Sequence, residues 1–110
     1  MSLGQLAFYG DSLTIGDGGN LKAIYSANVA LTFTSISAVT GQEQPATVTG
    51  ARVGDDVSAS PPNNLGNTAL LWNARVSADN TVQVRVINPT AGALTPTSPS
   101  TWRITVIRYT

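Results

Sequence analysis

Short runs of strictly alternating apolar and polar residues fill the second half of the chain. The segments 81–86 and 102–106 each place an apolar side chain at every second position. Alternation with a period of two sends side chains to opposite faces of an extended strand, so that one face can be buried. Clusters of Gly, Pro, Asn, Asp and Ser separate these runs, as turns between strands require. The pattern predicts an all-β protein.

The number and spacing of the runs predict the architecture. We expect a two-sheet antiparallel β-sandwich, jelly-roll or immunoglobulin-like, with about seven to eight short strands. The clearest hairpin turns at 77–80, because Asp79 and Asn80 tolerate the left-handed backbone of such loops. The polar stretch 40–44 is interpreted as a turn, and 88–100 as a long loop. The residues predicted to form the core are Leu31, Phe33, Val48, Val57, Leu70, Trp72, Val76, Val82, Val84, Val86, Trp102, Ile104 and Val106.

The beginning of the chain differs from the rest. Glycines interrupt it at positions 10, 16, 18 and 19. The segment 5–9 could form one short strand, and 21–25 could be one turn of helix or another strand. We therefore predict an N-terminal arm over 1–28 and a sandwich domain over 29–110. The alternative interpretation is that Leu6 and Phe8 belong to the first strand of the sheet.

Composition excludes several classes of function. The six basic residues are scattered and balanced by six acidic ones, whereas a nucleic-acid binder normally carries a basic face. Without His or Cys, the chain lacks the commonest general base and the commonest zinc ligands. No stretch approaches the ~18 apolar residues of a membrane span, and the start lacks a signal-peptide pattern. We expect a non-enzymatic protein made in the cytoplasm, with no cofactor, nucleic-acid or membrane partner.

One short motif points toward an enzyme family. Gly10, Asp11, Ser12 and Leu13 follow an apolar run and resemble the first block of the GDSL (SGNH) hydrolases, in which the serine is the nucleophile. The family's catalytic histidine has no counterpart here, and its α/β fold needs a longer chain. Because a serine without a base is a poor nucleophile, we interpret the motif as a turn and predict no catalytic residue.

Other candidate sites have simpler explanations. The segment 17–20 is slightly similar to a calcium loop, but the ordered series of oxygen ligands is missing, and no metal site is predicted. Trp72 and Trp102 could stack on sugar rings, yet both lie in register with inward-facing residues. Packing in the core is therefore the expected role of both indoles.

Charged residues make up only 11% of the chain, and a neutral, charge-poor surface tends to associate. The core is small for a domain without disulfides, so oligomerisation is the expected source of additional stability. Both properties suit a subunit of a larger assembly.

A run of turns and strands resembles a small β-sandwich module of tailed-bacteriophage virion proteins. Such modules occur in capsid decoration (cement) proteins and in head-fibre or tail-fibre proteins. The segments that carry the resemblance are 48–55, 60–62, 74–82, 86–92 and 101–108.

The resemblance implies a virion structural protein on the capsid surface. Its expected partners are the major capsid protein and further copies of itself, in a homotrimer that stabilises the assembled capsid. Leu6, Phe8 and Tyr9 are the predicted partner-binding residues, since aromatic and large apolar side chains dominate interface energetics. The alternative is a receptor-binding fibre domain that recognises host glycans through loops 63–67 and 91–100.

Overall fold

The computed structural model describes residues 13–14 and 20–109. Strands account for the regular secondary structure of this part of the chain, which contains no helix. The strands are β1 (Leu13–Thr14), β2 (Asn20–Leu31), β3 (Thr40–Thr47), β4 (Asp56–Ser60), β5 (Leu71–Ala78), β6 (Thr81–Asn88) and β7 (Ser100–Tyr109). The predicted all-β class is confirmed.

The strands form two antiparallel sheets. The first sheet has the order β1-β2-β7-β4 and the second has the order β3-β6-β5. In the immunoglobulin order the fifth strand lies between the second and the fourth, and the seventh pairs with the sixth. Here the fifth and seventh strands exchange these places. The sandwich that the sequence predicts is therefore present, with a strand order different from that of immunoglobulin domains.

The connections collect at the two ends of the sandwich. Three long loops, 32–39, 61–70 and 89–99, lie at one end, which we call the loop end. The β3–β4 loop and the tight turn at 79–80 lie at the opposite end, which we call the turn end. Because β1 pairs with the first residues of β2, the described chain also begins at the turn end.

The core lies between the sheets around Trp102. This side chain is fully buried, its indole N–H donates to Ser100 Oγ at 3.0 Å, and its ring contacts Phe33 at a centroid distance of 6.2 Å. Most predicted core residues are buried. Two predictions were wrong in degree: Trp72 is 38% exposed, and Val57 is only partly buried. Both belong to edge strands, which lack a neighbour on one side.

Other core residues come from segments without clear alternation. Ile36, Ala51 and Leu65 lie in loops that fold over the ends of the two sheets, whereas Leu21 and Ala46 lie in β2 and β3. The additional buried apolar residues are Leu21, Ile36, Ala46, Ala51 and Leu65.

The prediction of a turn at 40–44 was wrong. These residues form the first half of β3 and pair with β6, from Thr40 opposite Asn88 to Gln44 opposite Val84. Pro45 follows within the same strand. A proline is tolerated there because β3 is an edge strand, where a missing N–H donor need not interrupt the ladder.

The predicted boundary between arm and sandwich falls inside a strand. Residues 20–28 belong to β2, which pairs with β7 as far as Leu31. The sheet therefore begins earlier than the predicted residue 29. Within 21–28 every second residue, from Leu21 to Ala27, is buried or half-buried, and the residues between them are exposed. The rest of the predicted arm, with Leu6, Phe8 and Tyr9, lies outside the described residues except for β1.

Candidate interaction surface at the loop end

A buried asparagine organises the loop end. The alternation of β6 continues past Val86, so that Asn88 points into the core and is fully buried. Its Nδ2 donates to the carbonyl oxygens of Ile36 at 2.9 Å and Gly92 at 2.8 Å. Its Oδ1 accepts from the backbone N–H of Thr90 at 2.9 Å and from the Thr90 hydroxyl at 2.6 Å. One side chain thus joins the loops 32–39 and 89–99.

Further bonds hold the same two loops together. Ile36 and Leu94 exchange two backbone hydrogen bonds, of 2.7 and 3.0 Å. Ser98 Oγ accepts from the N–H of Phe33 and donates to its carbonyl oxygen, both at 2.9 Å. These contacts bridge residues far apart in sequence, so the two loops form one continuous structure.

The third loop joins them through Leu65. The N–H of Thr97 donates to the carbonyl oxygen of Leu65 at 2.8 Å, and the Leu65 side chain is fully buried. Asn63, Asn64 and Asn67 each accept a hydrogen bond from the backbone N–H two residues further on. Such turns shape the loop locally, and they occupy amide oxygens that would otherwise be open to a ligand.

The surface of the loop end carries no charge. None of the residues in 32–39, 61–70 and 89–99, all within the described part, is Asp, Glu, Lys or Arg. Val39 is 75% exposed and has a φ of 54°, which is costly for a β-branched residue. On the outer face of the second sheet, the exposed Leu71 at the start of β5 pairs with the partly buried Ile87. The loop end is therefore neutral and locally apolar.

The turn end carries the one ion pair with a largely buried carboxylate among the described residues. Arg108 donates to both carboxylate oxygens of Asp55, at 3.0 and 2.8 Å, and to the carbonyl oxygen of Gly50 at 2.8 Å. Its guanidinium lies 5.5 Å from the ring centre of Tyr25. The hydrogen bond from Arg108 lowers the pKa of Asp55, with burial opposing the shift, and the same bond raises the pKa of Arg108. The pair fixes the β3–β4 loop.

Residues 13–14 and 20–109 contain no group of three or more His, Cys, Asp or Glu placed to hold a metal. Every buried side-chain nitrogen or oxygen there has a hydrogen-bond partner. Nor is any helix long and apolar enough to cross a membrane among these residues. Ser12 of the GDSL-like motif and Asp17 of the calcium-like segment lie outside them.

Two features of the ends were missed in the sequence. The inward position of Asn88 was visible as the next step of the Val82–Val84–Val86 alternation. The Asp55–Arg108 pair had no such signal, because local periodicity does not determine the strand order that brings two residues so far apart together.

Comparison of the chain with protein-family models, curated proteins and solved structures gives no match.

Proposed function

We propose that the protein is a non-enzymatic virion structural protein that binds the surface of an assembled phage capsid and stabilises it, as a homotrimeric decoration protein. The observation that carries the proposal is the rigid, charge-free loop end. The resemblance of the strand and turn sequence to virion modules supports the same assignment. The major capsid protein is the proposed partner.

A neutral surface limits the kinds of partner. Association with nucleic acid depends on neutralising phosphates, for which the loop end offers no cation. A protein surface of matching shape can instead be bound by desolvating apolar side chains such as Val39 and Leu71. Because Asn88 already orders the loops, little conformational entropy is lost on binding.

The backbone at Val39 supports a role in contact. A β-branched residue with positive φ is strained, and such strain persists where the surrounding structure holds it and often marks functional sites. Val39 contributes little to the core because it is 75% exposed. If the loop had only a structural role, Gly or Asn at this position would adopt the positive φ with less strain.

Stabilisation of the capsid follows from selective binding. A ligand that binds only the assembled shell shifts the assembly equilibrium toward the shell by mass action. Leu6, Phe8 and Tyr9 remain a second proposed contact, contributed by the N-terminal segment.

The test compares one substitution at opposite ends of the sandwich. Val39→Asp places a charge at the loop end, and Val53→Asp, at a position that is 67% exposed, places it at the turn end. We expect co-sedimentation with assembled capsids to weaken at least about tenfold, about 1.4 kcal/mol, for Val39→Asp only. Failure of the parent protein to co-sediment with capsids would overturn the proposal, and an effect confined to Val53→Asp would overturn the role of the loop end.

The receptor-binding alternative rests on a separate observation. The two loops named for it from the sequence lie side by side, joined by the bond between Thr97 and Leu65. Binding of the purified protein to host cells, competed by free glycans and absent for isolated capsids, would favour this fibre function instead.

A further inference from the structure

The edges of the two sheets are protected unequally. Edge strands normally carry a proline, a charge or a bulge, or stay short, because an open edge invites pairing with another chain. β3 contains Pro45, β4 has only five residues, and a bulge between Val76 and Ala78 distorts β5. By contrast, β2 has twelve residues and no proline, and its single charged residue is Lys22 near its start.

Most of this edge has no neighbouring strand among the described residues. β1 pairs with β2 only at Leu21 and Asn20. The segment 22–31 therefore presents one row of backbone N–H and C=O groups that β7 does not use, and we call it the open edge.

The core is also incomplete along the open edge. Tyr25, Ala27 and Val29 point inward but are only partly buried. Their cross-strand partners on β7, which are Val106, Ile104 and Trp102 in the same order, are fully buried. The difference indicates that these three side chains have apolar neighbours on the β7 side of β2 but not on the side of the open edge. A strand with alternating apolar residues, added to the open edge, would bury them.

The N-terminal segment has the composition that this edge requires. Leu6 and Phe8 are two positions apart, so an extended strand would present both to the same face. The five residues 5–9 span about 17 Å when extended, and the open edge is about 33 Å long. The segment 5–9 can therefore cover about half of the open edge.

Two features argue that the segment comes from another copy. The β2–β7 register shifts between Leu21 and Ala23, immediately after the pairing of β1 with β2. β7 keeps pairing beyond this shift, but a bulge can terminate pairing on the other edge of the strand. Gly10 and Asp11 then separate 5–9 from β1, and both residue types are depleted in strands. Both features disfavour continuation of the β1–β2 hairpin along the same β2.

We propose that the segment 5–9 of a second copy adds as a strand to the open edge of β2. The inference rests on the proposed homo-oligomer, and it identifies the partner of Leu6 and Phe8 as another copy of this chain. Each copy donates one segment and accepts one, and such head-to-tail contacts close into a ring when the rotation permits.

The absence of cysteine in the chain allows a specific cross-linking test. Ala7→Cys labels the donated segment, and Ser26→Cys labels the open edge. Ser58→Cys is the matched control, because Ser26 and Ser58 flank the same residue of β7, Thr105, from opposite sides and both are exposed. Full-length single-cysteine chains are refolded together in pairs and treated with a short bis-maleimide.

We expect a covalent dimer from Ala7→Cys mixed with Ser26→Cys, at several times the yield of the Ser58→Cys mixture or of Ala7→Cys alone. A chain carrying both Ala7→Cys and Ser26→Cys is the further control. Cross-linking within that single chain, without cross-linking between mixed chains, would show that each copy fills its own edge and would overturn the proposal. Equal yields for the two mixtures would overturn it as well.

The native mass supplies a second readout that does not involve capsids. Phe8→Asp should reduce the mass to that of one chain, while Ala7→Asp, on the other face of the added strand, should leave it unchanged. A parent protein that is monomeric in solution would refute strand exchange. An oligomer that cross-links as expected but ignores capsids would instead refute the proposed function alone.

Discussion

Replacement of Asn88 by alanine tests whether this side chain holds the loop end together. The substitution removes the donor to Ile36 and Gly92 and the acceptor of Thr90. The carbonyl oxygens keep other partners: Ile36 O still accepts from the N–H of Leu94, and Gly92 O from the Thr90 hydroxyl. Ser37 O, which lies 3.4 Å from Asn88 Nδ2, still accepts from the Thr40 hydroxyl. The N–H of Thr90 is therefore the one group left with no hydrogen-bond partner.

The expected cost follows from this inventory. An unsatisfied buried donor costs about 1–3 kcal/mol, and the N–H of Thr90 belongs at the lower end because its bond is only partly buried. The lost carboxamide leaves a cavity of roughly 30 Å³, worth about 0.7 kcal/mol. Asn88→Ala should therefore lower the free energy of unfolding by about 2 kcal/mol.

Urea unfolding measures this change, with intrinsic tryptophan fluorescence as the signal because Trp102 lies in the core and contacts Trp72. The control is Asn73→Ala on the exposed outer face of β5, which should change stability by less than about 0.5 kcal/mol. A loss below about 0.5 kcal/mol for Asn88→Ala would refute the role assigned to this side chain.

An isosteric variant separates hydrogen bonding from cavity formation. Asn88→Asp keeps the volume but directs an ionised carboxylate at backbone carbonyl oxygens, so it should be at least as destabilising as alanine at neutral pH. A protonated carboxyl can donate one bond, and burial favours that form. The variant should therefore recover stability relative to the parent protein as the pH falls, and a penalty independent of pH would contradict the geometry at Asn88.

Three further substitutions probe the ends of the sandwich. Gly66→Ala should destabilise the fold by about 1–2 kcal/mol, because Gly66 has a φ of 84° and a Cβ would lie 2.7 Å from Thr97 Oγ1. As its control, Gly92→Ala should be nearly neutral in the same urea assay, because the added Cβ would meet nothing within 4 Å. Val39→Gly should raise the free energy of unfolding by about 0.5–1 kcal/mol in that assay by relieving its positive φ. Because the pKa of Asp55 is lowered in the folded protein, its carboxylate stabilises the fold at pH values above the pKa of an unfolded aspartate, about 3.9. This stabilisation is lost as the pH falls through the pKa of Asp55 in the folded protein. Asp55→Asn should therefore lose less melting temperature than the parent protein between about pH 5 and about pH 2.

The sequence predicted the central strands best. In β6 and β7 both neighbours are present, so every inward position except Arg108, near the end of β7, is buried. The alternation of Val82, Val84 and Val86 therefore reports the burial directly. At an edge the same pattern loses meaning, since inward-facing Trp72 remains 38% exposed. The polar first half of β3 shows the converse error: an edge strand with a solvated outer face can consist of residues that read as a turn.

The candidate surface was less predictable than the fold. Loops 63–67 and 91–100 were named from the sequence as the glycan-binding loops of the fibre alternative, and they do lie together. The contribution of 32–39 could not be foreseen, because Asn88 reaches Ile36 only once β3 and β6 are paired. Contacts over some fifty positions, such as this one, depend on strand order, and periodicity within one strand contains no information about that order.

The opposite placement of the two proposed contacts constrains how a copy can attach. The loop end lies beyond Leu31, whereas the N-terminal segment departs next to Leu21, where β1 pairs with β2. Ten residue steps of strand, about 33 Å, separate these points. If a copy binds a capsid through its loop end, the point where its N-terminal segment leaves β1 lies about 33 Å away from the capsid surface. That point is level with the turn ends of neighbouring copies. In the proposed assembly the two contacts therefore serve different partners, with the loop end facing the capsid and Leu6 and Phe8 facing another copy.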